Sequence, residues 1–182
     1  APPEVLFLWA PIHFENECFH FLVFENPDGS QWAHDALVVP KIAEGAPVFG
    51  SGTEPLRFAR IDHDIEWRPG TRRALRATLV TQALDGKKDE MHLEPLMTFQ
   101  MKGLGYGHPV WGHGVWHDEL AVGSESYAED SLDPLLPENV HVQQLVRATW
   151  RGRSGLGVLE QVLLGSHRRY GFESYLGPAT DS

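Results

Sequence analysis

The sequence has almost no cysteine, no long apolar run and no excess of basic charge. Cys18 is the single cysteine of the chain, which excludes an internal disulfide and a cysteine-based zinc site. The most apolar N-terminal run, residues 5–12, has no basic flank and is far shorter than the roughly 20 residues of a membrane-spanning helix. We therefore expect a cytoplasmic protein without a membrane span.

The charge balance limits the partners of the protein. The formal net charge is −10, with 25 acidic residues against 15 Lys and Arg. This balance disfavours binding to nucleic acid or to an anionic membrane through a broad basic surface. The local cluster of Arg68, Arg72, Arg73 and Arg76 is expected to be a solvated turn and strand edge. The length of 182 residues fits one domain, residues 1–182.

Sustained helical periodicity is also lacking, whereas strand patterns recur along the chain. Residues 17–25 and 31–39 form the clearest predicted hairpin, with its turn at Pro27–Asp28–Gly29. Further strands are predicted at residues 56–67, 74–84, 91–99, 140–150 and 156–164, with a second hairpin turn at 85–88. We expect an all-β protein: an antiparallel lipocalin-like barrel of about eight or nine strands with little helix.

The alternation of apolar and polar residues predicts which side chains face the core. Two neighbouring strands give the clearest sets. The residues expected inward are Leu75, Ala77 and Leu79 on the first strand and Met91, Leu93, Met97 and Phe99 on the second.

One stretch, GLGYGHPVWGHGVWHDELAVG at residues 103–123, stands out from the strand pattern. It holds three of the ten histidines and two of the six tryptophans. The glycines of its first half predict an irregular backbone, and residues 114–123 then alternate as a strand. His113, His117 and Glu119 share one face of that strand, and Trp116 and Asp118 share the other. We expect the face of His117 and Glu119 to line a cavity in the barrel.

Three interpretations of this stretch stay open. In the first it is catalytic, with His108, His113, His117 and Glu119 as the acid and proton carriers and Tyr106, Trp111 and Trp116 as the cavity wall. In the second His113, His117 and Glu119 bind a metal, but positions i and i+4 of a strand lie roughly 13 Å apart. We therefore expect no metal and no other cofactor. In the third the histidines bond backbone carbonyls and the tryptophans are core residues.

Three pieces of the chain resemble a known family. They are WAPIHFENECFHFLVFENPDG, LEPLMTFQMKGLGYGHPVWGHGVWHDELAVG and HVQQLVRATWRGRSGLGVLEQVLLG, and together they cover most of the chain. The chain is similar to the C-terminal calycin-like domain of the hydroxyneurosporene synthase and AttH-like superfamily. More narrowly, it resembles a bacterial group in which two such domains follow each other.

The resemblance implies a lipocalin-like barrel that is half of a two-domain unit. It also implies a hydro-lyase (a hydratase) or an isomerase that acts on an apolar isoprenoid or terpenoid-like small molecule bound in the barrel. The known acid residue of the hydratases matches no position of this sequence. The alternative is a non-catalytic module that binds a small molecule or docks against a second calycin-like domain or a second copy of the chain.

Overall fold

The part of the chain that the structure describes forms a single antiparallel sheet of nine strands. A computed structural model describes residues 3–50, 52–100, 110–112 and 114–178. The strands are β1 (Val5–His13), β2 (Glu17–Glu25), β3 (Gln31–Pro40), β4 (Leu56–Arg57), β5 (Arg60–Trp67), β6 (Ala74–Gln82), β7 (Lys88–Gln100), β8 (Val142–Trp150) and β9 (Arg153–Leu164). The described helices are two 3-10 turns, Glu129–Ser131 and Arg168–Tyr170, and neither is long and apolar enough to cross a membrane. The predicted all-β class and strand number are confirmed.

The strands follow the order β4-β3-β2-β1-β9-β8-β7-β6-β5, so the first and last long strands pair in the middle of the sheet. The predicted strand at 56–67 is divided into β4 and β5, because the chain crosses there from one edge of the sheet to the other. The Phe58 N–H donates to the Ala36 carbonyl at 3.0 Å, and the Ala59 N–H donates to the Gln82 carbonyl at 2.7 Å. This crossing curls the sheet into a half-barrel.

The hairpin between β2 and β3 forms as its turn residues predict. Gly29 has a φ of 85° and its N–H donates to the Asn26 carbonyl, while the Asp28 carboxylate accepts from the Ser30 N–H. Alternate side chains of β1 and β2 then face the interior, where they are completely buried. Leu6, Leu8, Phe19 and Phe21 are examples, each with an exposed fraction of 0%.

The predicted inward face of β7 is correct only for its first half. Met91 and Leu93 are buried, whereas Met97 and Phe99 are 59% and 52% exposed. Pro95 pairs with Val146 and Met97 pairs with Leu145, so the residue between them is a bulge that reverses the alternation. The pairing of β7 with β6 has already ended at Leu93. The missing N–H of Pro95 therefore costs no hydrogen bond to β6.

A second bulge corrects the prediction for β6. Leu75 is only half-buried and Ala74 is buried in its place, because two residues of β6 oppose one position of β5. The bulged backbone is satisfied by side chains. The Gln161 carboxamide accepts from the Ala74 N–H at 2.7 Å, and the Gln144 carboxamide donates to the Ala74 carbonyl at 3.1 Å.

Arg72 is not solvated as predicted but is buried, with an exposed fraction of 1%. Its guanidinium donates only to backbone carbonyls, those of Leu163, Gly165, Ser174 and Gly177, at 2.5 to 3.0 Å. Burial lowers the pKa of Arg72 to about 10, so the group is still a cation at neutral pH. It fixes the C-terminal segment against the end of β9.

Two tryptophans differ in burial, and replacing each of them tests which one belongs to the hydrophobic core. Trp150 is 1% exposed and packs on Phe19, whereas Trp116 is 75% exposed. We expect Trp150→Ala to lower the free energy of unfolding by about 3–5 kcal/mol, as large core truncations do. Trp116→Ala should change it by less than about 0.5 kcal/mol. Urea denaturation of both variants measures this, and similar losses in the two would contradict the exposed position of Trp116.

Candidate functional site

The described part of the stretch that the sequence singles out, residues 110–112 and 114–123, lies outside the strands of the sheet. Residues 114–123 are irregular and exposed, so the predicted strand is wrong, while the cavity expected on the face of His117 and Glu119 stays a prediction. β7 and β8 pair with each other directly, with Gln100 opposite Val142. Residues 114–123 belong to the long connection between these two strands and form no strand of their own.

The predicted site residues divide into three groups. Tyr106, His108 and His113 lie outside the described residues. Trp111 and His117 are brought together, with their ring centroids 4.7 Å apart. Gly123 packs on the same Trp111 ring, since a Cβ at Gly123 would lie 2.5 Å from it. The other two residues, Trp116 and Glu119, are exposed.

A buried carboxylate with two histidines lies inside the curled sheet, away from that stretch. Glu25 at the end of β2 accepts from Nε2 of His63 on β5 at 2.9 Å and from Nε2 of His167 at 3.1 Å. All three side chains are at most 1% exposed. Nδ1 of His63 and the Tyr170 hydroxyl are hydrogen-bonded at 2.7 Å. We call these four residues the Glu25 cluster.

The electrostatics of the Glu25 cluster favour a structural role. Burial alone would raise the pKa of Glu25, but hydrogen bonds from His167 and His63 outweigh it and hold the pKa well below its usual range. Burial raises the pKa of the Tyr170 hydroxyl. The cluster therefore holds an ionised carboxylate and a neutral phenol, and a carboxylate held this firmly is a poor proton donor.

A cavity of about 360 Å³ lies on the opposite face of the sheet, over β1, β2 and β9. Its apolar lining residues alternate with core residues along each strand. Val162 lines the cavity while Leu163 belongs to the core. In the same way, Phe7 lines the cavity and Leu8 belongs to the core. Among the described residues, the lining is Pro3, Val5, Phe7, Phe24, His141, Glu160, Val162 and Leu164. We call this the outer-face cavity.

One edge of the outer-face cavity is polar. Nε2 of His141 donates to one oxygen of Glu160 at 2.7 Å, and the Gln143 carboxamide donates to the other at 2.9 Å. The hydrogen bond from His141, more than the opposing effect of burial, lowers the pKa of Glu160. The side chains of His141 and Glu160 are 10% and 14% exposed, so this hydrogen-bonded pair is largely buried at the cavity wall.

The sequence contains a weak indication of this cavity. Residues 5–12 read VLFLWAPI, and a strand that is apolar on both faces is typically covered on both. The pairing of His141 with Glu160 could not be found in the same way. The two residues meet because Gln143 lies opposite Glu160 in the hairpin of β8 and β9.

The lowered pKa of Glu25 gives a pH dependence of stability. Because the pKa is below its ordinary value of 4.5 in the folded protein, the stabilisation is present above that pH and is lost as the pH falls. From about pH 6 to about pH 3, the wild type should lose about 2 kcal/mol more unfolding free energy than Glu25→Gln. Denaturation at each pH measures this.

Glu90→Gln is the matched control for that experiment, because Glu90 is an exposed glutamate of β7 outside the cluster. It should keep the pH dependence of the wild type. Equal pH dependence in Glu25→Gln and the wild type would show that protonation of Glu25 does not cause the loss of stability in acid.

Comparison with known proteins gives one family and one similar structure. No curated protein matches the sequence. The crystal structure of kievitone hydratase from Nectria haematococca is similar, with 12% identity and a TM-score of 0.43. The similarity covers 88% of this chain and 40% of that one, so this chain spans less than half the length of that protein.

The family model covers nearly all of the chain. It matches residues 1–173, which include every strand of the sheet and the Glu25 cluster. The chain belongs to the family described as a family of unknown function, DUF8625.

Proposed function

We propose that the protein binds an apolar small molecule in the outer-face cavity. The observation that carries this proposal is an apolar wall with a single polar edge, formed by His141 and Glu160. Ligand sites are typically concave and mostly apolar, with a few polar groups that fix the orientation of the ligand. The volume of about 360 Å³ falls in the lower part of the usual range for such sites.

The packing of the interior favours the outer face of the sheet, rather than the barrel lumen, as the place of the ligand. Leu6, Leu8 and Leu159 have exposed fractions of 0%, and Trp150 has 1%. An internal cavity that could hold water would leave part of these side chains accessible. These four inward side chains therefore pack without a water-sized void beside them, which supports the outer face as the ligand site.

A hydro-lyase acting on an isoprenoid alkene is the second function that we propose. Hydration adds a proton to one alkene carbon and water to the other, and the water then releases a proton. Glu25 and Glu160 are poor donors because their pKa values are lowered. We propose Glu119 as the acid, in line with the sequence analysis. The contact between Trp111 and His117 supports this proposal, because it joins an aromatic ring and a proton carrier in that stretch.

A docking role also stays a proposal. Met97, Phe99 and Leu145 form an exposed apolar patch on neighbouring strands, with Met97 directly opposite Leu145. Such patches are typical of surfaces that contact another protein. We propose a second calycin-like domain or a second copy of the chain as the partner that contacts this patch. The two-domain organisation and the cytoplasmic location are also proposals.

Filling the outer-face cavity tests the binding function. Val5 is a half-buried wall residue, and Val5→Trp should block the cavity and weaken binding at least about tenfold. Native mass spectrometry of the protein with isoprenoid alkenes and alcohols measures the bound fraction. Val48→Trp is the matched control, because Val48 is 68% exposed in a loop. Equal binding by the two variants would place the ligand elsewhere.

The same samples test the hydro-lyase function. A gain of one water by the released alkene means turnover, and unchanged ligand means binding alone. We expect Glu119→Gln to abolish turnover with less than about 0.5 kcal/mol of lost stability, because Glu119 is exposed. Asp118→Asn is the control at the neighbouring acid. If Asp118→Asn abolishes turnover instead, Asp118 is the acid. If both variants keep their turnover, the result contradicts a catalytic role of this stretch.

A further inference from the structure

The polar edge of the outer-face cavity holds the carboxylate of Glu160, and the basic side chain beside it in the lining is that of His141. None of the lining residues that the structure describes is Lys or Arg, and Glu160 is the one carboxylate among them. The lowered pKa of Glu160 agrees with an ionised group. The protein as a whole carries a formal net charge of −10, which adds an attraction for cations at longer range.

The carboxylate of Glu160 has acceptor capacity left. Oε1 accepts one hydrogen bond from His141 and Oε2 accepts one from Gln143. Each carboxylate oxygen has two lone pairs, so one on each oxygen is available to a donor on a ligand. His141 and Gln143 hold the group in place, which reduces the entropy that a ligand would lose by ordering it.

One aromatic residue lies beside this carboxylate, and two more line the cavity. Trp9 is directly opposite Glu160 in the pairing of β1 with β9. Phe7 and Phe24 line the cavity, with their ring centroids 4.8 Å apart. The faces of aromatic rings attract a cation, and together with a carboxylate they form a typical environment for an ammonium group.

The remaining wall is apolar and extends away from Glu160. Val162 follows one same-face position later on β9, and Leu164 and Val5 follow at the far end, where they pair with each other. A ligand that fills this cavity has its polar group at one end and a hydrocarbon body at the other.

We infer that the ligand is an apolar amine, with its ammonium group on Glu160 and its hydrocarbon body against Val5, Phe7 and Leu164. The inference rests on the binding function proposed above. An alcohol can also donate to the carboxylate, but its hydrogen bond lacks the added strength of a charged donor. A carboxylate at the same place would meet a like charge.

Three ligands with one skeleton test this inference: geranylamine, geraniol and geranate, each titrated by calorimetry at neutral pH. We expect the amine to bind about tenfold more tightly than the alcohol. It should bind about a hundredfold or more tightly than the carboxylate. The n-octyl amine, alcohol and carboxylate give the same comparison on a second skeleton.

Glu160→Gln should bring the three affinities of each series within about threefold of one another, because the charge is lost and the cavity shape is kept. Ratios of affinities within one sample do not depend on the fraction of folded protein, so a loss of stability does not obscure the result. Glu94→Gln is the control, because Glu94 is an exposed glutamate of β7 outside the cavity lining. It should keep the preference for the amine.

The outcomes separate the inference from the function on which it rests. Equal affinities for the three ligands in the wild type overturn the amine inference and leave the binding function standing. A preference that Glu94→Gln removes as fully as Glu160→Gln overturns it as well, because net charge would then explain the preference. Failure of all six ligands to bind overturns the proposed binding function itself.

Discussion

The carboxylate of Glu25 holds the curled sheet closed. It accepts from His63 on β5 and from His167 after β9, so one buried group connects β2, the far edge of the sheet and the C-terminal segment. The two edges share no ladder of backbone hydrogen bonds among the described residues. Gln31 adds a further polar contact, because its carboxamide donates to Glu25 and to the Ile61 carbonyl. The outer-face cavity depends on this closure, since the curl sets the shape of both faces of β1, β2 and β9.

Strand positions and hairpin turns could be predicted from the sequence because they depend on residues close to one another. The range 17–25 matches β2, and the turn at Pro27–Gly29 forms through local hydrogen bonds. Alternation alone could not locate the bulges near Pro95 and Leu75, because one extra residue reverses every later position of a strand. What decides such a bulge is the partner strand, and the partner is set by topology.

The candidate site was harder to predict for the same reason. The alternation of residues 114–123 is the pattern of a strand, but these residues lie in the connection between the paired strands β7 and β8 and are irregular and exposed. Glu160 and His141 are unremarkable in the sequence, since each is one polar residue in an apolar strand or beside one. The register of the β8–β9 hairpin, rather than any local motif, makes them a pair at a cavity wall.

The pairing of β1 with β9 also determines when the protein can complete its fold on the ribosome. β1 is made before β9, yet one of its two neighbours is β9, whose Leu164 pairs with Val5. Until translation reaches Leu164, β1 presents an open edge with apolar side chains on both faces, which is the kind of surface that pairs with other chains. The sheet is therefore exposed to misassembly while the strands between β1 and β9 are made, and the contact of His167 with Glu25 follows only after β9.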